Sequence, residues 1–207
     1  MKIIEASVEL VEDFDAAAVM KKIERAGRVC YKSEGNIKDD SAEKFIRGII
    51  KRGHESVIEH ATVSFKIICD RGVTHELVRH RLASYSQEST RYCDYSAGKF
   101  GGELTFIKPC FWSDDDENFQ LWKATMAQLE KNYLAMRANE AKPEEARSIL
   151  PNSLKTEIFV TMNLRELRHF LKLRTAKTAH PQMREVALKI YKLLAEKLPA
   201  VFDDISP

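Results

Sequence analysis

The length, composition and charge of this chain argue against several classes of protein. Its 207 residues, 44% of them hydrophobic, suffice for the core of one domain. The 33 lysines and arginines nearly balance 31 aspartates and glutamates, so a net charge of +2 predicts no nucleic-acid partner. Charges interrupt every apolar run before the ~20 residues that a membrane span needs, and no signal segment is visible. We therefore expect a cytoplasmic protein.

The first part of the chain predicts alternating strands and helices. Apolar periodicity places a strand at residues 2–11, a helix at 16–26 capped by Asp15, a helix after a capping box of Asp40 and Glu43, a strand at 62–69 and a helix at 72–82. The strand at 62–69 alternates almost perfectly, which predicts a half-buried antiparallel strand with Cys69 on its apolar side. The four cysteines form no C-x-x-C pair, so neither a disulfide nor a zinc site is expected.

The second part of the chain continues the same mixture. It predicts a short strand near 104–107, a helix from the acidic residues 114–117 to about Asn139, a helix from Pro143 that Pro151 stops, a strand at 154–162, a helix opening at Asn163 and a last helix at 182–197. The acidic run resembles a magnesium site, but acids at a helix start more often complement the helix dipole. The whole pattern predicts an α+β fold, a single domain over residues 1–207 with a central, mainly antiparallel sheet flanked by helices.

Residues 74–92 carry the densest cluster of chemically useful side chains, with three arginines, two histidines and many hydroxyls. If residues 72–82 are helical, Arg79 and Arg81 point about 200° apart, so one anion cannot easily contact both. Beyond Ala83 the helical pattern stops, and a polar loop is predicted. Such a loop beside arginines suits a phosphate with a polar ring attached.

Plainer interpretations of these motifs stay open on residue types alone. The 72–82 segment can be a solvated helix in which Glu76 pairs with Arg79 and His80, worth only ~0.2–0.5 kcal/mol per pair. His54 and His60 invite a metal interpretation, but they are six apart, about 240° out of phase on a helix. A loop that caps its neighbours fits residues 54–60 better, and no metal site is predicted.

Six positions in this stretch fit a known family. Arg79-His80-Arg81, Ser84, Ser89 and Arg91 follow the pattern RHR-x-x-S-x-x-x-x-S-x-R and resemble the flavin-dependent thymidylate synthases. The resemblance extends to Ala-Arg-x-x-Leu-Pro at residues 146–151 and to Asn-x-Arg…His-Phe…Arg at residues 163–174. These matches occur in the same order along nearly the whole chain.

The resemblance implies an enzyme that methylates dUMP to dTMP, a flavoprotein methyltransferase of nucleotide biosynthesis. It implies FAD as cofactor, NADPH as reductant of the flavin, and methylenetetrahydrofolate as carbon donor. It also implies a homotetramer whose active sites form where subunits meet. No covalent nucleophile is required, and Ser89, which has no obvious base nearby, is interpreted as a substrate contact.

The resemblance also assigns residues. The substrate dUMP would be bound by Glu76, Leu77, Val78, Arg79, Gln87, Glu88, Ser89, Thr90, Arg91, Arg147 and Arg174. FAD would be bound by Ser56, Arg79, His80, Arg81, Gln87, Asn163, Leu164, Arg165 and His169, with His54 and Glu59 close by. Arg174 would be catalytic, because a permanent positive charge stabilises the ionised pyrimidine ring. Glu76 and Gln87 stand where other members carry Gln and Glu, and the match of His180 to a flavin-side histidine stays open.

Two other function classes compete with this interpretation. Arg79, Arg81 and Arg91 could bind RNA phosphates while Tyr85, Tyr92 and Tyr95 stack on bases. A metal-dependent nucleotide phosphohydrolase could use the histidines, although no His-Asp dipeptide is present. Near-neutral charge argues against the first, and poor ligand spacing argues against the second.

Overall fold

The computed structural model describes residues 1–207 apart from Lys99. Its strands are β1 (Lys2–Ile4), β2 (Ser7–Leu10), β3 (Thr62–Asp70), β4 (Ala83–Gln87), β5 (Thr105–Ile107) and β6 (Lys155–Asn163). Its helices are α1 (Ala16–Tyr31), α2 (Ser41–Lys51), α3 (Arg71–Leu77), α4 (Glu117–Ala138), α5 (Pro143–Ala146), α6 (Leu164–Arg174), α7 (Pro181–Lys197) and α8 (Pro199–Phe202). Shorter 3₁₀ turns include Glu34–Asn36, Glu55–His60 and Arg147–Ile149. None of the helices described is both long enough and apolar enough to cross a bilayer.

The strands form an antiparallel sheet and a separate parallel pair. The four-stranded sheet has the order β2-β3-β6-β4, and β1 pairs in parallel with β5, so that Ile3 faces Phe106. The α+β prediction with a mainly antiparallel sheet is confirmed. The single strand predicted at residues 2–11 is wrong, because this segment forms two strands with different partners. Strand β1 pairs with β5, and β2 pairs with β3. The Ile4 carbonyl accepts from Lys108 beside β5, whereas the Val11 amide donates to Ser64 of β3.

The chain divides into two compact units, and each combines three chain segments. The first unit contains residues 1–7, 67–79 and 86–158, and the second contains 8–66, 80–85 and 159–207. Because neither unit is one continuous stretch, no single cut separates them along the sequence. The prediction of one domain over residues 1–207 stays a prediction.

Each unit has its own apolar core. In the first unit, the side chains packed together are Tyr95, Leu104, Phe106, Met126, Tyr133, Ala146 and Leu154. Helix α4 supplies Met126 and Tyr133 to this core. In the second unit, α1 packs on α2, α6 packs on α7 and on the turn Glu55–His60, and α8 contacts α2 and α7. Gly27 of α1 permits close approach, since a Cβ there would lie 2.6 Å from the Phe45 ring.

The two long strands follow the predicted alternation. Val63, Phe65, Ile67 and Cys69 of β3 are all buried, as the pattern predicted. In β6 the buried positions are Thr156, Ile158, Val160 and Met162. A two-residue period puts alternate side chains on opposite faces, so these strands reveal their apolar face in the sequence alone.

The helix predicted at residues 72–82 starts close to its expected position but is wrong at its C-terminal boundary. It begins at Arg71, where Asp70 caps it by accepting a 2.7 Å hydrogen bond from the Val73 amide, and it ends at Leu77. Val78 and Leu82 are exposed, so the apolar spacing that suggested a longer helix is not a packed face. The 200° separation inferred for Arg79 and Arg81 therefore does not apply.

The polar loop predicted beyond Ala83 is wrong as far as Gln87, because Ala83–Gln87 is strand β4, whereas residues 88–91 do lie outside any helix or strand. Small and hydroxyl-bearing residues carry little apolar periodicity, and pairing in the sheet supplies the order that the local sequence does not. The Tyr85 hydroxyl donates a 2.6 Å hydrogen bond to the His80 carbonyl, which fixes the turn leading into the strand. Burial, followed by the nearby charge of Glu166, raises the pKa of Tyr85 to about 12, so this donor keeps its proton at neutral pH.

Of the two caps predicted for the first two helices, the one at Asp15 is present and the one at Asp40 is not. Asp15 caps α1 by accepting from the amides of Ala17 and Ala18, as predicted, although the helix continues to Tyr31. The capping box at Asp40 and Glu43 is wrong, because Asp40 makes no side-chain cap. Instead Ser41 Oγ accepts from the Lys38 amide and donates to the buried Glu24.

The remaining predicted elements are confirmed near their expected positions. Asp116, in the acidic run, caps α4 by accepting from the Asn118 amide. Pro143 occupies the first turn of α5, and Pro181 that of α7. The short strand near 104–107 is β5, and Asn163 is the N-cap of α6.

Candidate functional site

Helix α6 carries four of the predicted site residues, all in the second unit. Asn163 starts the helix by accepting a 2.9 Å hydrogen bond from the Glu166 amide. Leu164, Leu167, Phe170 and Leu171 are buried at helical spacing, which fixes how the helix turns. Arg165 and His169 are then exposed, and Arg174, in the last turn, is partly buried.

His80 connects two charged residues of α6. Its Nδ1 lies 3.3 Å from Glu166 Oε1, and its Nε2 lies 3.1 Å from Arg174 Nε. The ring also makes an edge contact with Phe170, with 5.0 Å between centroids, and lies 5.9 Å from the ring of His169. His80 is only 5% exposed, so both ring nitrogens have protein partners in a nearly dry environment.

The environment of His80 keeps its imidazole neutral at physiological pH. Burial lowers its pKa below the ordinary value, and the positive charge of Arg174 lowers it further. The hydrogen bond to Glu166 acts in the opposite direction without reversing the shift. The structure places the His80 ring between Glu166 and Arg174. The assignment of His80 as a flavin contact stays a prediction.

The 3₁₀ turn Glu55–His60 carries Ser56, which was predicted to bind the flavin, and Glu59, which was expected close by. Ser56 and Glu59 are exposed, while Val57 and Ile58 anchor the turn in the core. The carboxylate of Glu59 accepts a 2.6 Å hydrogen bond from Arg165, which ties the turn to α6. The expected loop is thus a helical turn, and it is tied to α6 by a pair of side chains and not by a side-chain cap.

Arg168 of α6 is a buried cation. Arginine is a residue type that is mostly exposed in folded proteins, but this side chain is only 1% exposed. The guanidinium binds both carboxylate oxygens of Asp204, at 2.6 and 2.7 Å, and donates to Glu55 at 3.2 Å and to the Val201 carbonyl. No residue near it in sequence signals this burial, because its partners lie far along the chain.

In the first unit, Gln87 ends β4 with its amide group oriented by two hydroxyls. Its Nε2 donates to Thr74 Oγ1 at 3.0 Å and to Thr156 Oγ1 at 3.3 Å. Both threonines are fully buried, so they form a rigid base for the amide. The Gln87 carbonyl oxygen is thereby oriented as a hydrogen-bond acceptor.

Glu88 is held by a small charged cluster. Its carboxylate accepts from Lys155 at 3.0 Å and from the Tyr95 hydroxyl at 2.7 Å, and Lys155 also contacts Glu157 at 2.6 Å. Burial alone would lower the pKa of Lys155, but the carboxylates of Glu157 and Glu88 outweigh it and raise the pKa. Burial and the adjacent Glu88 also raise the pKa of Tyr95. The cluster fixes the backbone from which the following residues project.

The other predicted substrate residues of this unit differ widely in exposure. The Ser89 hydroxyl accepts from the Arg91 amide at 3.3 Å, and Arg91 pairs with Glu144 at 3.0 Å. Exposed side chains among the predicted residues are Val78, Arg79, Arg91 and Arg147, and the buried ones are Leu77 and Thr90. In the second unit, Arg81 is exposed. Leu77 is part of the core, so only its backbone could contact a ligand.

The donor set of the second unit suits a flavin nucleotide. Ser56, Arg165 and His169 offer a hydroxyl, a guanidinium and an imidazole, all exposed around one helix and its neighbouring turn. A guanidinium and a hydroxyl can bind a pyrophosphate, and an imidazole can contact a polar ring. Among the residues that the structure describes, no group of three or more histidines, cysteines or acids could hold a metal.

Three structurally important residues were not predicted as site residues. Glu166 and Lys155 orient His80 and Glu88, and Arg168 holds the turn that carries Ser56. Glu166 and His169 are three residues apart, so the helical period puts them on the same face of α6. Nothing in the local sequence, however, connects them to His80. These contacts join residues 67 to 113 positions apart, and only the folded chain reveals them.

The fold and these side chains define a class of protein. It is an α+β protein in which arginines, hydroxyls and an oriented amide suit a phosphate-bearing ligand with a polar ring.

The comparison with known families gives this class a name. The family model described as thymidylate synthase complementing protein, Thy1, matches residues 10–200, so the chain belongs to this family. A flavin-dependent thymidylate synthase of Pyrococcus furiosus is 42% identical over 172 residues, 83% of this chain and 68% of the relative. The enzyme of the same name from Geobacter sulfurreducens is 36% identical over 191 residues, 88% of this chain and 80% of the relative. The resemblance inferred from the sequence is confirmed, and the chain is an enzyme of the flavin-dependent thymidylate synthase family.

Solved structures support the same fold. The UMP/dUMP methylase PolB from Streptomyces cacaoi, bound with 5-Br dUMP, superposes with a TM-score of 0.78 at 27% identity. The superposition covers 98% of this chain and 96% of that protein. Family membership favours the thymidylate synthase interpretation over both the RNA-binding and the phosphohydrolase alternatives.

Proposed function

We propose that this enzyme converts dUMP to dTMP, with methylenetetrahydrofolate as carbon donor and with FAD that NADPH reduces. The net reaction consumes dUMP, methylenetetrahydrofolate, NADPH and a proton, and it yields dTMP, tetrahydrofolate and NADP⁺. The observation that carries the proposal is Arg174, a partly buried guanidinium that His80 holds at the end of α6. A fixed positive charge of this kind is what an ionised pyrimidine requires.

Arg174 is proposed as the catalytic residue. A nucleophilic C5 develops on dUMP when negative charge is drawn onto the pyrimidine ring. An arginine is protonated at every accessible pH, so it stabilises that charge without any proton transfer. Its hydrogen bond to His80 orients the guanidinium before substrate arrives, which avoids reorganisation during the reaction.

The exposed arginines of the first unit are proposed to bind the dUMP phosphate. Arg91 is paired with Glu144, but the two side chains are 57% and 43% exposed, and such pairs contribute only about 0–1 kcal/mol. A doubly charged phosphate can therefore replace Glu144 at little cost. Arg79 and Arg147 are exposed and are assigned the same ligand by the resemblance.

The other assigned dUMP residues are proposed to position the nucleotide. Gln87 offers its carbonyl oxygen as an acceptor, and Ser89 and Thr90 follow the fixed carboxylate of Glu88. Ser89 is proposed as a contact and not as a nucleophile, because its hydroxyl accepts from the Arg91 amide and no base adjoins it among the contacts described. Glu76, Leu77 and Val78 lie at the end of α3 and are assigned to the same ligand.

FAD is proposed to bind through the second unit's exposed donors. Ser56, Arg165 and His169 would hold its polar groups, with the Arg165–Glu59 pair fixing the turn beside them. Asn163 and Leu164 begin α6, and Arg81 precedes β4. When bound, the flavin would supply the hydride that completes the methyl group. The cytoplasmic location stays a prediction.

A homotetramer is proposed as the assembly. Several large apolar side chains are exposed on the chain, and the most exposed are Tyr92 at 75%, Leu121 at 69% and Leu82 at 68%. Apolar side chains of this size are usual in subunit contacts, although single exposed ones are also common.

The visible absorption spectrum of the purified protein tests this proposal. With FAD present we expect flavin bands that bleach anaerobically when NADPH and dUMP are added. Addition of methylenetetrahydrofolate should then give dTMP, measured by chromatography. A protein that retains no flavin once excess FAD has been removed, and that forms no dTMP, would contradict the proposal.

A further inference from the structure

Glu166, His80 and Arg174 form a buried chain of hydrogen bonds that the reaction itself does not explain. Glu166 is 8% exposed and His80 is 5% exposed, so both polar side chains have given up most contact with water. The contacts run from the Glu166 carboxylate to His80 Nδ1, at 3.3 Å, and from His80 Nε2 to Arg174 Nε, at 3.1 Å. Two hydrogen bonds connect the buried carboxylate of Glu166 to the proposed catalytic guanidinium of Arg174. Glu166 can therefore influence the orientation of that guanidinium.

The chemistry of the three groups determines which imidazole nitrogen carries the proton. Arg174 Nε always bears a hydrogen and can only donate, so His80 Nε2 must be the acceptor. A neutral imidazole that accepts at Nε2 carries its proton on Nδ1. That Nδ1–H points to Glu166, which is acceptor-only when ionised. Each group in the chain therefore has a complementary partner in one arrangement of protons.

We propose that Glu166 is a positioning residue that fixes the Nδ1–H tautomer of His80 and thereby aligns Arg174 for its pyrimidine ligand. Because an Nε–H bond defines the plane of a guanidinium, the hydrogen bond to His80 sets the orientation of the terminal nitrogens. The alignment of Arg174 with a pyrimidine rests on the proposed function, whereas the tautomer of His80 does not.

The surroundings of His80 support this arrangement. The titratable or charged groups that face it are Glu166, Arg174 and His169, and the Tyr85 hydroxyl donates to its backbone carbonyl. A protonated imidazole would turn Nε2–H toward Arg174 Nε–H, placing two donors against each other. Loss of the Glu166 carboxylate would leave a buried Nδ1–H without its acceptor, which removes the contact that favours the Nδ1–H tautomer over the Nε2–H tautomer. In the Nε2–H tautomer the hydrogen bond from Arg174 is lost, and the partly exposed guanidinium can turn toward water instead.

The test compares Glu166→Ala with Glu166→Gln in the FAD-loaded enzyme. In protein labelled with ¹⁵N-histidine, the nitrogen shifts of the imidazole distinguish N–H from unprotonated nitrogens, and His80→Gln identifies the signals of His80. We expect Glu166→Ala to switch the tautomer and to raise the KM for dUMP roughly tenfold or more, as misplacement of a binding group does. Glu166→Gln keeps a carbonyl acceptor and should retain the wild-type tautomer and KM. Glu196→Ala, an exposed carboxylate on α7, serves as the matched control and should change neither.

Separate outcomes decide the two proposals. An Nδ1–H tautomer that persists in Glu166→Ala, or a Glu166→Gln variant that behaves like Glu166→Ala, overturns the positioning role. A switched tautomer with an unchanged KM for dUMP also overturns it. If Arg174→Ala turns over like the wild type, the proposed catalytic role of Arg174 fails, and the tautomer measurement still reports whether Glu166 controls His80.

Discussion

Single residues in this enzyme owe their chemistry to partners that lie far along the chain. Arg174 and His80 are 94 positions apart, and Arg168 and Glu55 are 113 apart. In each pair a buried side chain is satisfied by hydrogen bonds, as burial of a charged or polar group requires. Function at the residue scale is therefore a matter of orientation as much as of residue type.

The proposed role of Arg174 gives the first prediction at this scale. Arg174→Ala removes the charge beside the pyrimidine, so we expect dTMP formation to fall by about 10²-fold or more, in line with loss of one electrostatic stabiliser. Flavin content should stay largely unchanged, because the resemblance assigns Arg174 to dUMP alone. The measurements are a dTMP assay and the absorbance of bound FAD. Turnover at the wild-type rate would refute the assignment.

Arg168 gives a prediction about stability. Arg168→Met keeps most of the volume but removes charged hydrogen bonds to Asp204, Glu55 and the Val201 carbonyl. We expect a loss of about 1.5–3 kcal/mol in the free energy of unfolding, measured by urea titration at pH 7. A change within about 0.5 kcal/mol would show that the buried cation contributes nothing net.

The pH dependence of the same variant provides a control. Arg168 lowers the pKa of Asp204, so this carboxylate contributes stability above its unfolded pKa and loses it as pH falls through the folded pKa. Without Arg168 that contribution is absent. The stability difference between wild type and Arg168→Met should therefore shrink below about pH 4, the ordinary range of an aspartate. A difference that grows on acidification would contradict this account.

At the scale of elements, packing places the turn Glu55–His60. Gly27 in α1 lies so close to its neighbours that a Cβ would be 2.6 Å from the Phe45 ring and 3.0 Å from Val57, which belongs to that turn. Helix α6 also packs on this turn, and the Glu59–Arg165 pair links the two. The position of Ser56 thus depends on a glycine 29 residues earlier in the chain.

Gly27→Ala tests this packing. Overpacking costs about 1–3 kcal/mol, whereas replacing a helical glycine by alanine gains up to about 1 kcal/mol. We expect a net destabilisation of about 1 kcal/mol in chemical unfolding. The matched control is Gly48→Ala in α2, where a Cβ meets only the flexible Arg52 side chain at 3.3 Å, and it should be neutral or stabilising. Equal effects of the two substitutions would argue against close packing at Gly27.

At the scale of the whole molecule, the chain folds into two units that interleave along the sequence. Strands β3 and β6 each contribute residues to both units, since the divisions fall at Ile67 and after Ile158. The residues that the resemblance assigns to dUMP and FAD are likewise spread over the chain from Ser56 to Arg174.

The proposed homotetramer gives a prediction at this scale. Light scattering on the purified protein should report about 95 kDa, four times the 23.7 kDa of the chain. Exposed apolar side chains such as Leu121 and Leu82 would then be covered by neighbouring subunits. A mass that stays near that of one chain across micromolar concentrations would contradict the proposal.

The sequence by itself determined the family, the α+β class and most of the elements. Fixed motif positions such as Arg79, His80 and Arg81 identify the family, and alternation in β3 and β6 marks their buried faces because a strand has a strict two-residue period. Helix caps such as Asp15 and Asn163 can be predicted locally, because each side-chain oxygen accepts from an amide at most three residues further along the chain.

The tertiary structure decided what depends on distant partners. It ended α3 at Leu77 and made Ala83–Gln87 a strand, because sheet pairing overrides weak local preference. It also buried Arg168 and placed Glu166 beside His80. Periodicity reports which face of an element is apolar. A buried charge, however, is stable only where the fold places a hydrogen-bonding or oppositely charged partner beside it, and no local sequence pattern predicts such a contact.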